Sequence, residues 1–112
     1  MSEPAMLLQF FADTVEENGS KGFSTTDGMT LFAVKKNGQL NIYKNSCPHL
    51  GIELEWQPDQ FLDSEGTLIQ CSTHGALFII ESGECVAGPC MGKALQALPF
   101  TEENGTITVF DC

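Results

Sequence analysis

Residues 67–80 read Thr67-Leu68-Ile69-Gln70-Cys71-Ser72-Thr73-His74-Gly75-Ala76-Leu77-Phe78-Ile79-Ile80. Two apolar runs, Thr67–Gln70 and Ala76–Ile80, bracket a short stretch that closes on glycine, which predicts a β-hairpin with Cys71–Gly75 at its tip. The tip carries one thiol and one imidazole. Upstream, Cys47-Pro48-His49-Leu50-Gly51 follows another strand-like run, Gln39–Lys44, and pairs the same two donor types more closely. The chain has two histidines, and both lie in these two boxes. Two loops presented by a rigid β scaffold can therefore bring Cys47, His49, Cys71 and His74 to one metal centre.

Two chemistries use two thiolates and two imidazoles. One is a [2Fe-2S] cluster in which two Cys hold one iron and two His hold the other. The other is structural zinc, but zinc sites usually pair Cys with Cys and His with His, whereas each box here mixes them. Thiolates are soft donors that hold Fe(III) and Fe(II) alike. Neutral imidazoles replace two negative charges and make such a cluster easier to reduce. Their second ring nitrogen can carry a proton whose charge couples to that on the iron. Gly51 and Gly75 suit tight turns close to sulfur, and Pro48 stiffens the first loop. A catalytic Cys–His pair is a weaker reading, because nothing in the chain supplies an oxyanion site.

Working outward, turn pairs recur at Asn18-Gly19, Asp27-Gly28, Asn37-Gly38, Glu65-Gly66, Ser82-Gly83 and Asn104-Gly105. Thr30–Lys35 and Gln39–Lys44 flank Asn37-Gly38 as a hairpin, with Leu40, Ile42 and Lys44 on one face. Thr106–Phe110 closes the chain, with Leu98 and Phe100 before its turn. Many short strands at close spacing point to an all-β sandwich or barrel. Ala5–Glu17 and Gly92–Ala97 are the candidate helices, and the first can equally begin as a strand. Tyr43, Trp56 and the phenylalanines Phe10, Phe11, Phe23, Phe32, Phe78, Phe100 and Phe110 read as core.

The length of 112 residues suits one domain, 1–112. There is no apolar run long enough for a transmembrane helix, and Met1–Met6 has an acid and no basic start, so a cytoplasmic protein is expected. The formal charge is −10, with five basic residues, all of them Lys. Such acidity argues against nucleic acid and anionic membranes as partners and favours a partner with a basic face. Five cysteines in a cytosolic setting do not suggest a disulfide framework.

The boxes Cys47-Pro48-His49-Leu50-Gly51 and Cys71-Ser72-Thr73-His74-Gly75-Ala76-Leu77-Phe78 resemble those of the Rieske [2Fe-2S] proteins. The downstream Ser82-Gly83-Glu84-Cys85-Val86-Ala87-Gly88-Pro89 is similar to that family's third, proline-containing loop. The resemblance covers essentially the whole chain. It implies a Rieske-like antiparallel β-sandwich or barrel with a small cluster-binding part of two ligand loops, about residues 45–91. It implies one [2Fe-2S] cluster held by Cys47, His49, Cys71 and His74, the Cys deeper and the His toward solvent. Gly88-Pro89 would cover the cluster from a third side.

Departures from the family pattern point to a branch. Respiratory-complex members carry an extra Cys in each box, joined as a disulfide, where this chain has Ile52 and Thr73. They also have Ser and Tyr donors where this chain has Ala76 and Phe78. Missing donors leave the reduced cluster less stabilised, toward the low end of the Rieske range of about −150 to +300 mV. The branch implied is that of the oxygenase-associated ferredoxins, soluble one-electron carriers between a flavin-containing reductase and a terminal oxygenase. Such a carrier is not itself an enzyme. The alternative is a small subunit of a larger oxidoreductase such as a nitrite reductase, whose Rieske-like subunit usually lacks the ligands. The spacer 50–70 is longer than usual for the branch. Its part 56–65, with Asp59, Asp63 and Glu65 and with Glu53 and Glu55 just ahead, reads as a surface loop pinned by Trp56 and Phe61, or else as a docking element. Cys85 and Cys90 read as small buried residues beside Gly88-Pro89, with a redox pair as the alternative. Cys112 reads as unpaired.

Overall fold

The computed structural model describes residues 6–25, 28–45, 61–62, 66–71, 76–88 and 92–110. Its organising element is the hairpin of β3 (Thr30–Lys36) and β4 (Gln39–Lys44). Asn37 and Gly38 join them at φ 55° and 75°, both in the left-handed region. A two-residue turn with that geometry matches the strand twist and sets the register. Lys36 therefore faces Gln39, and the ladder runs out to Leu31 opposite Lys44. β2 (Gly19–Ser24) pairs on the other side of β3 to complete a three-stranded antiparallel sheet.

β3 is buried on both faces. Leu31, Phe32, Ala33 and Val34 are all at zero exposure. Successive side chains point to opposite faces, so Phe32 and Val34 enter one apolar cluster while Leu31 and Ala33 enter another. β4 divides in the same way, with Tyr43 in the first cluster and Ile42 in the second.

Each cluster is completed by a further sheet. β1 (Met6–Phe11), β9 (Thr106–Phe110) and β8 (Phe100–Glu103) form one in that order, with Ile107, Val109 and the nearby Leu98 against Leu31 and Ala33. β5 (Leu68–Gln70), β6 (Leu77–Ile79) and β7 (Cys85–Ala87) form the other, with Ile69, Phe78 and Ile80 against Phe32 and Tyr43. The result is three stacked antiparallel sheets, an all-β architecture as the sequence predicts. Each fully buried Phe, Ile or Val contributes roughly 1.5–3 kcal/mol by leaving water.

Neither candidate helix forms as an α-helix. Residues 6–11 are β1, the strand alternative, followed by a 3₁₀ turn at Ala12–Thr14. The Lys35 ammonium donates to the Ala12 carbonyl at 2.8 Å and ties that turn to β3. Gly92 is a turn residue at φ 88°, and residues 93–97 form isolated bridges, Ala94 to Glu84 and Ala97 to Tyr43. The segment's backbone is used between neighbours: Cys85 N–H donates to Lys93 O, Leu95 N–H to Gly83 O and Lys44 N–H to Gln96 O. Those cross-strand bonds, with Leu95 buried, outweigh the helical propensity of Lys-Ala-Leu-Gln-Ala. The core assignment of Phe11 also fails, since it is 67% exposed. Its strand neighbour Phe10 takes the inward position and stacks on Phe23 at 4.4 Å. No helix among the described residues is long and apolar enough to cross a membrane.

Candidate metal centre

The β5–β6 hairpin forms as the sequence predicts, with Leu68 opposite Ile79, Ile69 opposite Phe78 and Gln70 opposite Leu77. One further bond extends the ladder, from Cys71 N–H to Ala76 O at 2.9 Å. Cys71 thus stands at the last paired position before the tip, and its side chain is wholly buried with Ile69, Ala76 and Phe78. Its burial agrees with the deep position expected for Cys71. Cys47, His49 and His74 lie outside the described residues, as do Pro48, Gly51, Ile52, Thr73, Gly75 and Pro89.

The spacer reaches the core through Phe61. This ring is fully buried and stacks on Phe32 at 4.4 Å with planes 6° apart. Gln70 N–H donates to Phe61 O, Phe61 N–H donates to the Ser20 hydroxyl, and Leu62 bridges to Ile69. Phe61 and Leu62 therefore flank β5 and hold the hairpin base. The expected role of Phe61 as a core pin is met; Trp56, Glu53, Glu55, Asp59, Asp63 and Glu65 lie outside the described residues.

Below the hairpin, the Tyr43 hydroxyl donates to Ile80 O at 2.6 Å. Burial pushes its phenol up to about 12, and the nearby Glu81 carboxylate adds to the rise. Gly83, at φ 75°, lies so close to this ring that an added Cβ would stand 2.8 Å from Tyr43 Cε1. Tyr43 is a core residue, as expected, and anchors the turn between β6 and β7.

The third loop leaves β7 through an irregularity that sequence reasoning missed. Leu77 pairs with Ala87 and Phe78 with Cys85, so Val86 is an extra residue on β7, a β-bulge. Val86 points outward and is 41% exposed. Bulges redirect a strand, and here the chain turns at Gly88, φ 94°, onto the base of the hairpin. A Cβ on Gly88 would come within 2.8 Å of Ala76 Cα and 3.2 Å of Ala76 N. No periodicity signals such a bulge, although the Gly-Pro pair after it marks a turn. Gly88, where β7 ends, and Ala76, at the base of the β5–β6 hairpin, are thus in close backbone approach. Cys85 is buried at 3% exposure, as expected; Cys90 and Cys112 lie outside the described residues.

This site and its three-sheet scaffold define a class. The Rieske [2Fe-2S] domain model matches residues 7–109, and the chain belongs to that family. Solved structures agree in fold. The ferredoxin of carbazole 1,9a-dioxygenase from Nocardioides aromaticivorans IC177 is 21% identical, with a TM-score of 0.73 over 99% of this chain and 100% of that one. The Sphingomonas yanoikuyae B1 ferredoxin is 22% identical, with a TM-score of 0.72 over 98% of this chain and 100% of that one. A complex of reduced oxygenase and oxidized ferredoxin in carbazole 1,9a-dioxygenase contains a chain 18% identical, with a TM-score of 0.74 over 96% of this chain and 94% of that one. No curated protein matches the chain.

The cofactor that the family implies is a Rieske-type [2Fe-2S] cluster. The described residues fit it. Cys71 provides a buried soft donor where the apolar core meets the loop, and Gly88 lets a third backbone segment approach without a side chain. At the two positions where the respiratory branch donates hydroxyls, Ala76 and Phe78 are fully buried and carry none.

Proposed function

We propose that this protein is a Rieske-type ferredoxin, a one-electron carrier that accepts electrons from a flavin-containing reductase and delivers them to a terminal oxygenase. Cys47 and Cys71 would hold one iron, and His49 and His74 the other. When bound, the cluster supplies a reversible one-electron store. The protein's part is to place the donors, exclude water from the sulfur side and present the imidazole side to partners. The unit is residues 1–112, with about 45–91 carrying the cluster, and it works in the cytoplasm without nucleic-acid or membrane partners.

The observation that carries this reading is the position of Cys71: buried, at the last paired rung of a hairpin, in a chain that matches the Rieske model nearly end to end. Two facts support the oxygenase as acceptor. Relatives of nearly the same length are ferredoxins of oxygenase systems, and one was solved with its oxygenase. The net charge of −10 favours a basic docking face on each partner and fast, salt-sensitive encounters. The donor-free Ala76 and Phe78 support a potential in the lower part of the Rieske range.

Visible absorption and electron paramagnetic resonance of anaerobically purified protein, before and after dithionite, test the reading. A red-brown protein with the signal of a mixed Cys/His cluster is expected. A colourless protein holding one zinc would overturn it.

A further inference from the structure

We infer that Cys85 is a positioning residue for the cluster: its thiol ties the β7 bulge and so seats Gly88 against Ala76, at the base of the hairpin that carries Cys71. The inference rests on the assignment of Cys71 and His74 as cluster ligands. The Cys85 thiol donates to the Ala87 carbonyl at 3.2 Å, directly across the extra residue Val86. That carbonyl belongs to the last residue before Gly88, whose backbone meets Ala76. Ala76 in turn accepts from Cys71 N–H and lies two positions after His74.

The contacts form one chain. The thiol holds the bulge and the bulge aims Gly88. Gly88 then lies against Ala76, the residue that closes the hairpin carrying Cys71. Three features show that the arrangement is constrained. Gly88 holds a positive φ, which disfavours any other residue. The contact with Ala76 leaves no room for a Cβ. The thiol is buried beside Phe78, in the same apolar cluster as Cys71. A bulge has one unpaired residue and gains little from the ladder itself. A side-chain bond across it therefore has a disproportionate effect on where the strand exits.

The test uses holoprotein and two variants. Cys85→Val keeps an apolar side chain of similar size and removes the donor. Cys85→Ser keeps a donor. The readouts are hydrogen–deuterium exchange of a peptide spanning residues 86–92 and the rate at which an iron chelator bleaches the cluster.

Losing a weak thiol hydrogen bond should raise the open population of the loop about threefold. Cys85→Val is expected to show that increase in both exchange and bleaching, while Cys85→Ser stays close to wild type. Unchanged rates in Cys85→Val, equal acceleration in both variants, or faster exchange without faster bleaching would each overturn the inference. Wild-type protein that lacks the cluster spectrum would instead overturn the ligand assignment, and the exchange comparison would still test the thiol tie.

Discussion

The rings of Phe32 and Phe61 lie face to face, 4.4 Å apart and within 6° of parallel. Phe32 is on the central strand of its sheet, and Phe61 belongs to the spacer between the two Cys/His boxes. One stack therefore fastens the spacer to the middle of the molecule, beside the strand that leads to Cys71. Both rings are wholly buried, so Phe61→Ala should cost about 3–5 kcal/mol, and Phe61→Leu clearly less. Chemical denaturation of the two variants measures the difference. Because Phe61 O also accepts from Gln70 N–H, Phe61→Ala should loosen cluster retention as well.

Tyr43→Phe removes the donor to Ile80 O and leaves a buried carbonyl unpaired, at a cost of about 1–3 kcal/mol. It should also change behaviour at high pH. The phenol is raised from 10.0 to about 12 by burial and, secondarily, by Glu81. A group whose folded value exceeds its unfolded one contributes stability that is complete below the unfolded value and lost as pH rises through the folded one. Wild type should thus lose stability between about pH 10 and 12. Denaturant midpoints across that range should fall less steeply for Tyr43→Phe.

The Glu17 carboxylate accepts from two consecutive amides of the β3–β4 turn, Asn37 N–H at 2.6 Å and Gly38 N–H at 2.8 Å. Charge-assisted bonds of this kind are stronger than neutral ones, but Glu17 is exposed, and water competes. Glu17→Ala should cost about 1 kcal/mol and Glu17→Gln less, since its amide keeps one acceptor. Thermal unfolding of the two variants checks the order.

Gly88→Ala should be the most damaging single methyl group in the third loop. The residue sits at φ 94°, and the new Cβ would meet Ala76 Cα at 2.8 Å. Strain of about 1–3 kcal/mol follows from the backbone alone, and the loop must also withdraw. The cluster spectrum and its rate of bleaching should both change. Gly38→Ala has the backbone strain without any neighbour within 4 Å, so it should lower stability and leave the spectrum as it was.

Replacing Cys47, His49, Cys71 or His74 individually by Ala should abolish the two-iron spectrum. Cys85→Ala should retain it. Iron and sulfide content per chain, measured beside absorption, separates the two groups.

The amino-acid sequence by itself determined the local pieces. Asn37-Gly38 and Asn104-Gly105 specify two-residue hairpins because both positions need positive φ, and both turns form as written. The hairpin that carries Cys71 was legible from its apolar flanks and its glycine. The proposed ligands Cys47, His49, Cys71 and His74 rest on the sequence, because chemistry restricts which residue types can hold such a cluster.

Tertiary structure decided what depends on neighbours distant in the chain. Leu31, Phe32, Ala33 and Val34 form a continuous apolar run, which periodicity alone assigns to no face; only the two flanking sheets divide it between two cores. Residues 92–97 carry helical propensity, yet their amides and carbonyls are committed to β4, Gly83 and Cys85. Phe11 is as apolar as Phe10, but strand alternation on β1 turns one outward. The bulge at Val86 and the contact of Gly88 with Ala76 have no sequence period. They follow from bringing the end of β7 against the base of the β5–β6 hairpin, a constraint that exists only once those strands are paired.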